Sequence, residues 1–151
     1  MDTAPEGASG RLRALPTRLI GQVGIIANRC TEKALEPTGS RRYHYALLAT
    51  LDEHGPLSQA EAGRRTGIDR SDVVATVNDL ADRGLLTRTP DPADRRRNTL
   101  TLTRAGRAHL ADLDERLEAA QRQLLPGFTA VDRAHFVLTL NRILEAHAAD
   151  S

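Results

Sequence analysis

Three adjacent arginines, Arg95, Arg96 and Arg97, separate two short runs that have the pattern of strands. Upstream, Leu85 to Thr89 reads LLTRT, and downstream Thr99 to Thr103 reads TLTLT. Alternation at period two puts leucines on one face and threonines on the other, as in a half-buried strand. Asp91-Pro92-Ala93-Asp94 supplies turn formers between them. The stretch therefore predicts an antiparallel hairpin with a cationic tip. A packed core has no use for three neighbouring guanidinium groups, whereas a polyanion does. The rest of the chain must then form a scaffold that presents this tip to solvent.

Helical periodicity describes most of that scaffold. Apolar residues at 12, 15, 19, 23, 26, 30 and 34 recur in steps of three or four, one stripe on a helix over Leu12 to Leu35. Pro16 is compatible only with its first turn. Glu36-Pro37-Thr38-Gly39 ends it, and Ser40 is expected to cap a second helix, Arg41 to His54. Leu57, after Gly55-Pro56, is expected to add a minimal strand. Ser58 to Glu61 forms a capping box that opens a short helix to Arg65 or Thr66. Gly63 marks a close approach by another helix, and Gly67 suits the left-handed position past the helix end. Asp69 is expected to cap the next helix, with Asp72 at its third position and Val73, Val77 and Leu80 inward. Two helices separated by Thr66 to Asp69 read as a helix-turn-helix. After the hairpin, Thr103 should cap a helix with small or apolar residues at 106, 110, 113, 117, 120 and 124. A last helix, capped from Thr129 to Asp132, carries Phe136, Leu140, Ile143 and Leu144.

The fold class is thus mainly α with a small antiparallel β-hairpin, a winged helix-turn-helix over about 41–103. Residues 1–10 are expected to be a disordered tail, and 11–151 one domain. Terminal helices, about 12–35 and 104–148, carry more apolar stripe than one chain can bury, so they predict a homodimer. Net charge is only +1, but six arginines oppose two aspartates between Arg88 and Arg107, while acids dominate after Asp112. Aromatics are 3% with no tryptophan, which argues against recognition of single strands by base stacking. The single cysteine, Cys30, cannot form an internal disulfide and lies on the first apolar stripe; a buried thiol is the plain reading and peroxide sensing the alternative. No stretch has the layout of a signal peptide or a membrane span, so the expected location is cytoplasmic. The histidines show no close ligand spacing, and no acid/base pair, nucleophile elbow or phosphate loop occurs. No catalytic residue, metal or cofactor is expected.

These motifs together resemble the MarR (multiple antibiotic resistance regulator) family of bacterial transcription regulators. The resemblance rests on Gly55-Pro56-Leu57-Ser58-Gln59, Gly67-Ile68-Asp69, Arg83-Gly84-Leu85-Leu86, Asp91 to Arg96, and Leu100-Thr101-Leu102-Thr103 with Gly106, and covers about residues 12–148. It implies a ligand-responsive dimeric repressor whose two winged helices straddle a pseudo-palindromic operator on double-stranded DNA. An architectural or protein-interaction module without an effector is the alternative, and the wing arginines favour DNA over protein. Many members carry Thr-Arg in the middle of the recognition helix, where this chain has Val74-Ala75.

The candidate DNA-contacting residues are Arg70, Ser71, Asp72, Ala75, Thr76, Arg95, Arg96 and Arg97. Arg70 follows the cap, where arginine commonly meets guanine, although a phosphate contact is the simpler role. Ser71 either donates to a phosphate or merely starts the helix. Asp72 either caps through the Asp69 backbone or accepts from cytosine. Ala75 either touches a thymine methyl or is small where backbone meets DNA. In the wing, the resemblance implies that Asp94 holds the Arg96 guanidinium ready for the minor groove; the alternative is that Asp94 only shapes the turn. It also implies a small-molecule pocket in the crevice between the dimer helices and the winged helix; the candidate lining for a small aromatic or acidic effector is Ile26, Arg29, Tyr43, His44 and Leu47, positions that ordinary interface packing would explain equally.

Overall fold

The computed structural model describes residues 9–150. Ser9 caps a short helix, α1 (Gly10–Arg13), by accepting from the Leu12 amide. Of the tail expected over residues 1–10, Ser9 and Gly10 are described and take part in this helix, and residues 1–8 lie outside the described residues. The single helix expected over Leu12 to Leu35 is interrupted at Ala14-Leu15, because Leu15 precedes proline and is extended. Helix α2 (Pro16–Leu35) has its proline at the first position and passes into a single 3-10 turn, Glu36–Thr38. Helix α3 (Arg42–His54), strand β1 (Leu57–Ser58), helices α4 (Gln59–Thr66) and α5 (Arg70–Asp82), strands β2 (Leu86–Pro90) and β3 (Asn98–Leu102), and helices α6 (Arg104–Leu124) and α7 (Ala130–Ala146) follow.

The sheet has the order β1-β3-β2 and is antiparallel throughout. Leu86 opposes Leu102, Pro90 opposes Asn98, and Leu57 opposes Leu100. Pro90 is tolerated because β2 is an edge strand. The leucines of this alternation close one side of the core: Leu86, Leu100 and Leu102 meet Leu47, Leu48 and Leu51 of α3, Val73, Val77 and Leu80 of α5, and Leu110 and Leu113 of α6.

Capping differs from expectation in three places. Ser58 accepts from the Glu61 amide at 3.1 Å, but Glu61 turns away to pair with Arg64 and Arg65, so the box is only half formed. Ser40 does not cap α3; Arg41 holds the cap position and Ser40 is buried in a polar network described below. Asp69 occupies the cap position of α5 without a side-chain hydrogen bond, and Asp72 makes none back to it. Thr103 and Thr129 behave as expected, accepting from the Gly106 and Asp132 amides at 2.9 and 3.1 Å.

One glycine is dictated by packing. Gly106 lies in the first turn of α6 where that helix meets the start of β2. A Cβ there would sit 2.7 Å from Leu102 Cδ1 and closer still to the Leu85 carbonyl oxygen. At Gly63 the expected close approach is looser: a Cβ there would stand 3.4 Å from a Val73 methyl.

The terminal helices are uncovered. Helix α2 buries only Leu35, and α7 buries none of its side chains. Leu12, Leu15, Leu19, Ile20, Val23, Ile25 and Ile26 at one end, and Phe128, Val131, Val137, Leu138, Leu140, Ile143 and Leu144 at the other, are exposed. An edge-on ring contact between Phe128 and Phe136 and a two-pronged ion pair from Arg133 to Glu118 fix the α6–α7 corner.

Candidate nucleic-acid interface and adjoining cleft

Helix α5 is anchored by Val73, Thr76, Val77 and Leu80, which are buried. Its opposite face exposes Arg70, Ser71, Val74, Ala75 and Asn78. Thr76 is not available to this face: it is 6% exposed and its hydroxyl donates to the Asp72 carbonyl at 2.6 Å. A helical threonine often spends its hydroxyl this way on the preceding turn. Asp72 and Ala75 lie toward a cleft on the α2–α3 side of α5, whereas Arg70 and Val74 face a groove shared with α4 and the wing.

The wing loop is ordered by its aspartates. Asp91 Oδ1 accepts from the Ala93 amide at 2.9 Å, and Asp94 Oδ1 from the Arg96 amide at 3.0 Å. The Arg97 amide donates to the Asp94 carbonyl and the Asp91 amide to the Arg97 carbonyl, closing the loop. Asp94 thus bonds the Arg96 backbone amide, and no ion pair joins it to the Arg96 guanidinium in this structure. A short acidic side chain two residues ahead of an amide reaches it without ordering a long arginine, so the local bond prevails. Arg95, Arg96 and Arg97 are all exposed, and among the described residues no acid pairs with them. Arg88, by contrast, is held by the Asn78 side-chain oxygen, tying β2 to α5. Arg96 and Arg97 share one open groove with Arg70, Val74 and the start of α4.

The cleft lies between the C-terminal half of α2, the start of α3 and α5. It brings together Arg29, Tyr43 and His44 of the expected lining, with Lys33, Arg41, Arg42 and Asp79. It does not include Leu47, which is fully buried in the core, or Ile26, which is exposed on α2 away from the cleft lining. His44 Nδ1 accepts from the Arg41 amide at 2.9 Å, so the ring proton resides on Nε2 and is donated to Asp79 at 2.8 Å. Burial pushes this imidazole below its ordinary range, outweighing the pull of Asp79. The Arg42 guanidinium stacks over Tyr43, 5.0 Å from the ring centre.

Behind His44 lies a network that spacing gave no reason to expect. Arg83, at the end of α5, donates to Ser40 Oγ at 3.1 Å, the Thr38 carbonyl at 3.2 Å and Asp79 at 3.2 Å, and approaches His109 Nε2 of α6 at 3.4 Å. Ser40 Oγ lies 2.7 Å from the same His109 nitrogen. A guanidinium only donates, so Ser40 accepts from Arg83 and gives its own proton to a neutral His109. Burial, followed by the Arg83 charge, lowers the His109 pKa. The partners lie up to 69 residues apart, and the only sequence signal was Arg83 within the Arg-Gly-Leu-Leu run. Among the described residues no cluster of three or more His, Cys, Asp or Glu could hold a metal, and no helix is long and apolar enough to cross a membrane. Cys30 is half-buried.

Helix-turn-helix α4–α5 followed by the β2–β3 wing defines a winged-helix protein, here extended at both ends by long helices. A MarR family model matches residues 38–97. A MarR-family transcriptional regulator from Rhodococcus sp. RHA1 is 31% identical and superposes with a TM-score of 0.79, over 89% of this chain and 96% of that one. The PcaV transcriptional regulator from Streptomyces coelicolor, solved in complex with its natural ligand, is 28% identical over 92% of this chain and 98% of its own, with a TM-score of 0.72. The HTH-type transcriptional regulator YcgE of Bacillus subtilis is 34% identical over 79 residues, which are 52% of this chain and only 51% of that protein. The chain belongs to the MarR family of transcriptional regulators.

Proposed function

We propose that this chain is a homodimeric, sequence-specific regulator, acting as a repressor on a pseudo-palindromic double-stranded operator and released by a small aromatic or acidic effector. The observation that carries the reading is the juxtaposition of the exposed face of α5 with Arg96 and Arg97 of the wing, which no acid among the described residues neutralises. A helix of this kind fits the major groove while the wing reaches the flanking minor groove, where a narrow groove concentrates negative potential. The uncovered apolar residues of α2 and α7 support dimerisation through the terminal helices, about 12–35 and 104–148, with α6 packed against α2. Two recognition helices related by a twofold would then enter successive major grooves about one DNA turn apart.

The cleft supports the effector reading. Arg29, Lys33, Arg41 and Arg42 supply positive charge for a carboxylate, and Tyr43 supplies an aromatic surface. Asp72, Ala75 and Asp79 bring α5 itself into the cleft wall, so a bound anion would act directly on the recognition helix. The PcaV complex lends weight to a ligand site in a relative, without assigning its ligand to this chain. The test is sedimentation of the free protein at low micromolar concentration followed by footprinting on enriched duplexes. A dimer protecting an inverted repeat is expected; a folded monomer or an asymmetric footprint overturns the architecture. A thermal-shift screen of aromatic acids, with and without operator, then reads the effector by linkage, with coupling of about 1–3 kcal/mol expected.

A further inference from the structure

Among the described residues, the exposed large apolar side chains fall into two groups at the chain ends, 12–26 and 128–144, with one exception. Val74, in the middle of α5, is 41% exposed. It does not extend either apolar face, and it lies between Arg70 one turn before and Asn78 one turn after. Ala75 is exposed beside it, so the middle of the outward face presents methyl groups where a phosphate-binding surface would present donors.

Asn78 adds a directional constraint. Its side-chain oxygen accepts from the Arg88 guanidinium, a group that cannot accept in return. The amide is thereby oriented, and its N–H groups are the part left for a ligand. Side chains four apart on a helix are neighbours, so an apolar surface from Val74 and a donor from Asn78 stand side by side. In the major groove one base carries the matching pair on adjacent atoms: thymine, with its 5-methyl group and its O4 acceptor. Cytosine offers neither, since its N4 amino group would meet the Asn78 donor head-on.

We infer that Val74, flanked by Ala75 and oriented with Asn78, determines sequence preference by selecting thymine over cytosine at one position of each operator half-site. This rests on the reading of α5 as the helix in the major groove. Arg70, at the N-terminal end of the same face, contacts the flanking position or the backbone.

The experiment begins with wild-type protein and a random duplex library, which yields an enriched half-site and a footprint. Each thymine of that half-site is then replaced in turn by uracil, which removes only the methyl group, and by cytosine. Affinities are measured by fluorescence anisotropy for wild type and for Val74→Ala, whose side chain is exposed and whose folding is checked by its thermal midpoint. For wild type, uracil at one thymine should weaken binding by roughly four-fold per half-site, as loss of one buried methyl implies. Cytosine there should weaken it further. In Val74→Ala the uracil effect at that position should fall below about two-fold. If wild type enriches a half-site but tolerates uracil at every thymine, the inference is overturned while the DNA-binding reading stands. The same holds if Val74→Ala keeps the full uracil effect. If no duplex is enriched, the DNA-binding reading fails and this inference falls with it.

Discussion

The junction between α6 and the base of the wing allows a prediction whose sign depends on two opposed effects. Replacing a helical glycine by alanine ordinarily stabilises by about 1 kcal/mol through propensity. At Gly106 the new methyl would lie 2.7 Å from Leu102 Cδ1 and 3.0 Å from the Leu85 carbonyl carbon, with the carbonyl oxygen nearer still. Backbone cannot rotate away as a side-chain tip can, so α6 must lift from β2. Overpacking of this kind costs about 1–3 kcal/mol. The lift also strains the Thr103 amide bond to the Leu85 carbonyl, at 3.2 Å, and the Thr103 hydroxyl bond to the Gly84 carbonyl, at 2.7 Å. Each is worth about 1 kcal/mol. The net expectation for Gly106→Ala is a loss on the order of 2–4 kcal/mol. Gly63→Ala is the control, because its methyl would meet Val73 at an ordinary 3.4 Å. There propensity should win, giving a gain of up to about 1 kcal/mol. Urea denaturation at fixed protein concentration reads both. A Gly106→Ala protein as stable as wild type would refute the packing argument, and a destabilised Gly63→Ala would refute the use of the distance to rank the two sites.

Three further outcomes follow from the geometry. Asp94→Asn keeps the acceptor for the Arg96 amide and removes a negative charge beside the DNA, so it should bind operator roughly two- to three-fold tighter at low salt; weaker binding would restore a charge-support role for Asp94 toward the Arg96 guanidinium. His44 and His109 are held neutral in the fold, with pKa values below the ordinary 6.5, while the unfolded chain takes up protons from about that pH downward. The unfolded state then binds more protons, so stability should be full above pH 6.5 and fall as the pH drops below it. Urea midpoints at several pH values should show that fall, and a His44→Gln/His109→Gln protein should lose most of the slope; an unchanged slope would assign it to other groups. Leu19→Glu or Ile143→Glu places a charge in the uncovered apolar faces and should shift sedimentation toward monomer with the winged-helix core still folded; an intact dimer would move the interface elsewhere.

Local spacing made much of this molecule legible. The stripe from Leu19 to Ala34 on α2, the helix end at Gly67 and the Leu/Thr alternation of β3 are set by the 3.6- and two-residue periods of the backbone, which a sequence displays directly, whereas the extension of that stripe back to Leu12 is broken by Leu15 ahead of Pro16. Even the two-residue β1 at Leu57 could be read, because Gly-Pro punctuation carries its own geometric meaning, whereas the helical glycine at Gly63 meets only an ordinary contact with Val73. The cationic tip was equally plain, since three arginines between two strands have nowhere to go but solvent.

Only the tertiary structure decided which polar side chains these elements consume internally. Thr76 and Val74 are two residues apart on one helix, yet the packed fold buries the first and leaves the second outward. Asp94 lies two residues from Arg96 and accepts from its backbone amide. Ser40 has the chemistry of a cap, but α6 delivers His109 and α5 delivers Arg83 to it. His44 finds Asp79 across 35 residues for the same reason. Periodicity fixes the direction of each residue relative to its own helix axis; how helices rotate against one another depends on the volumes filling the core between them. A partner that lies on another element is therefore written in the packing, not in the spacing.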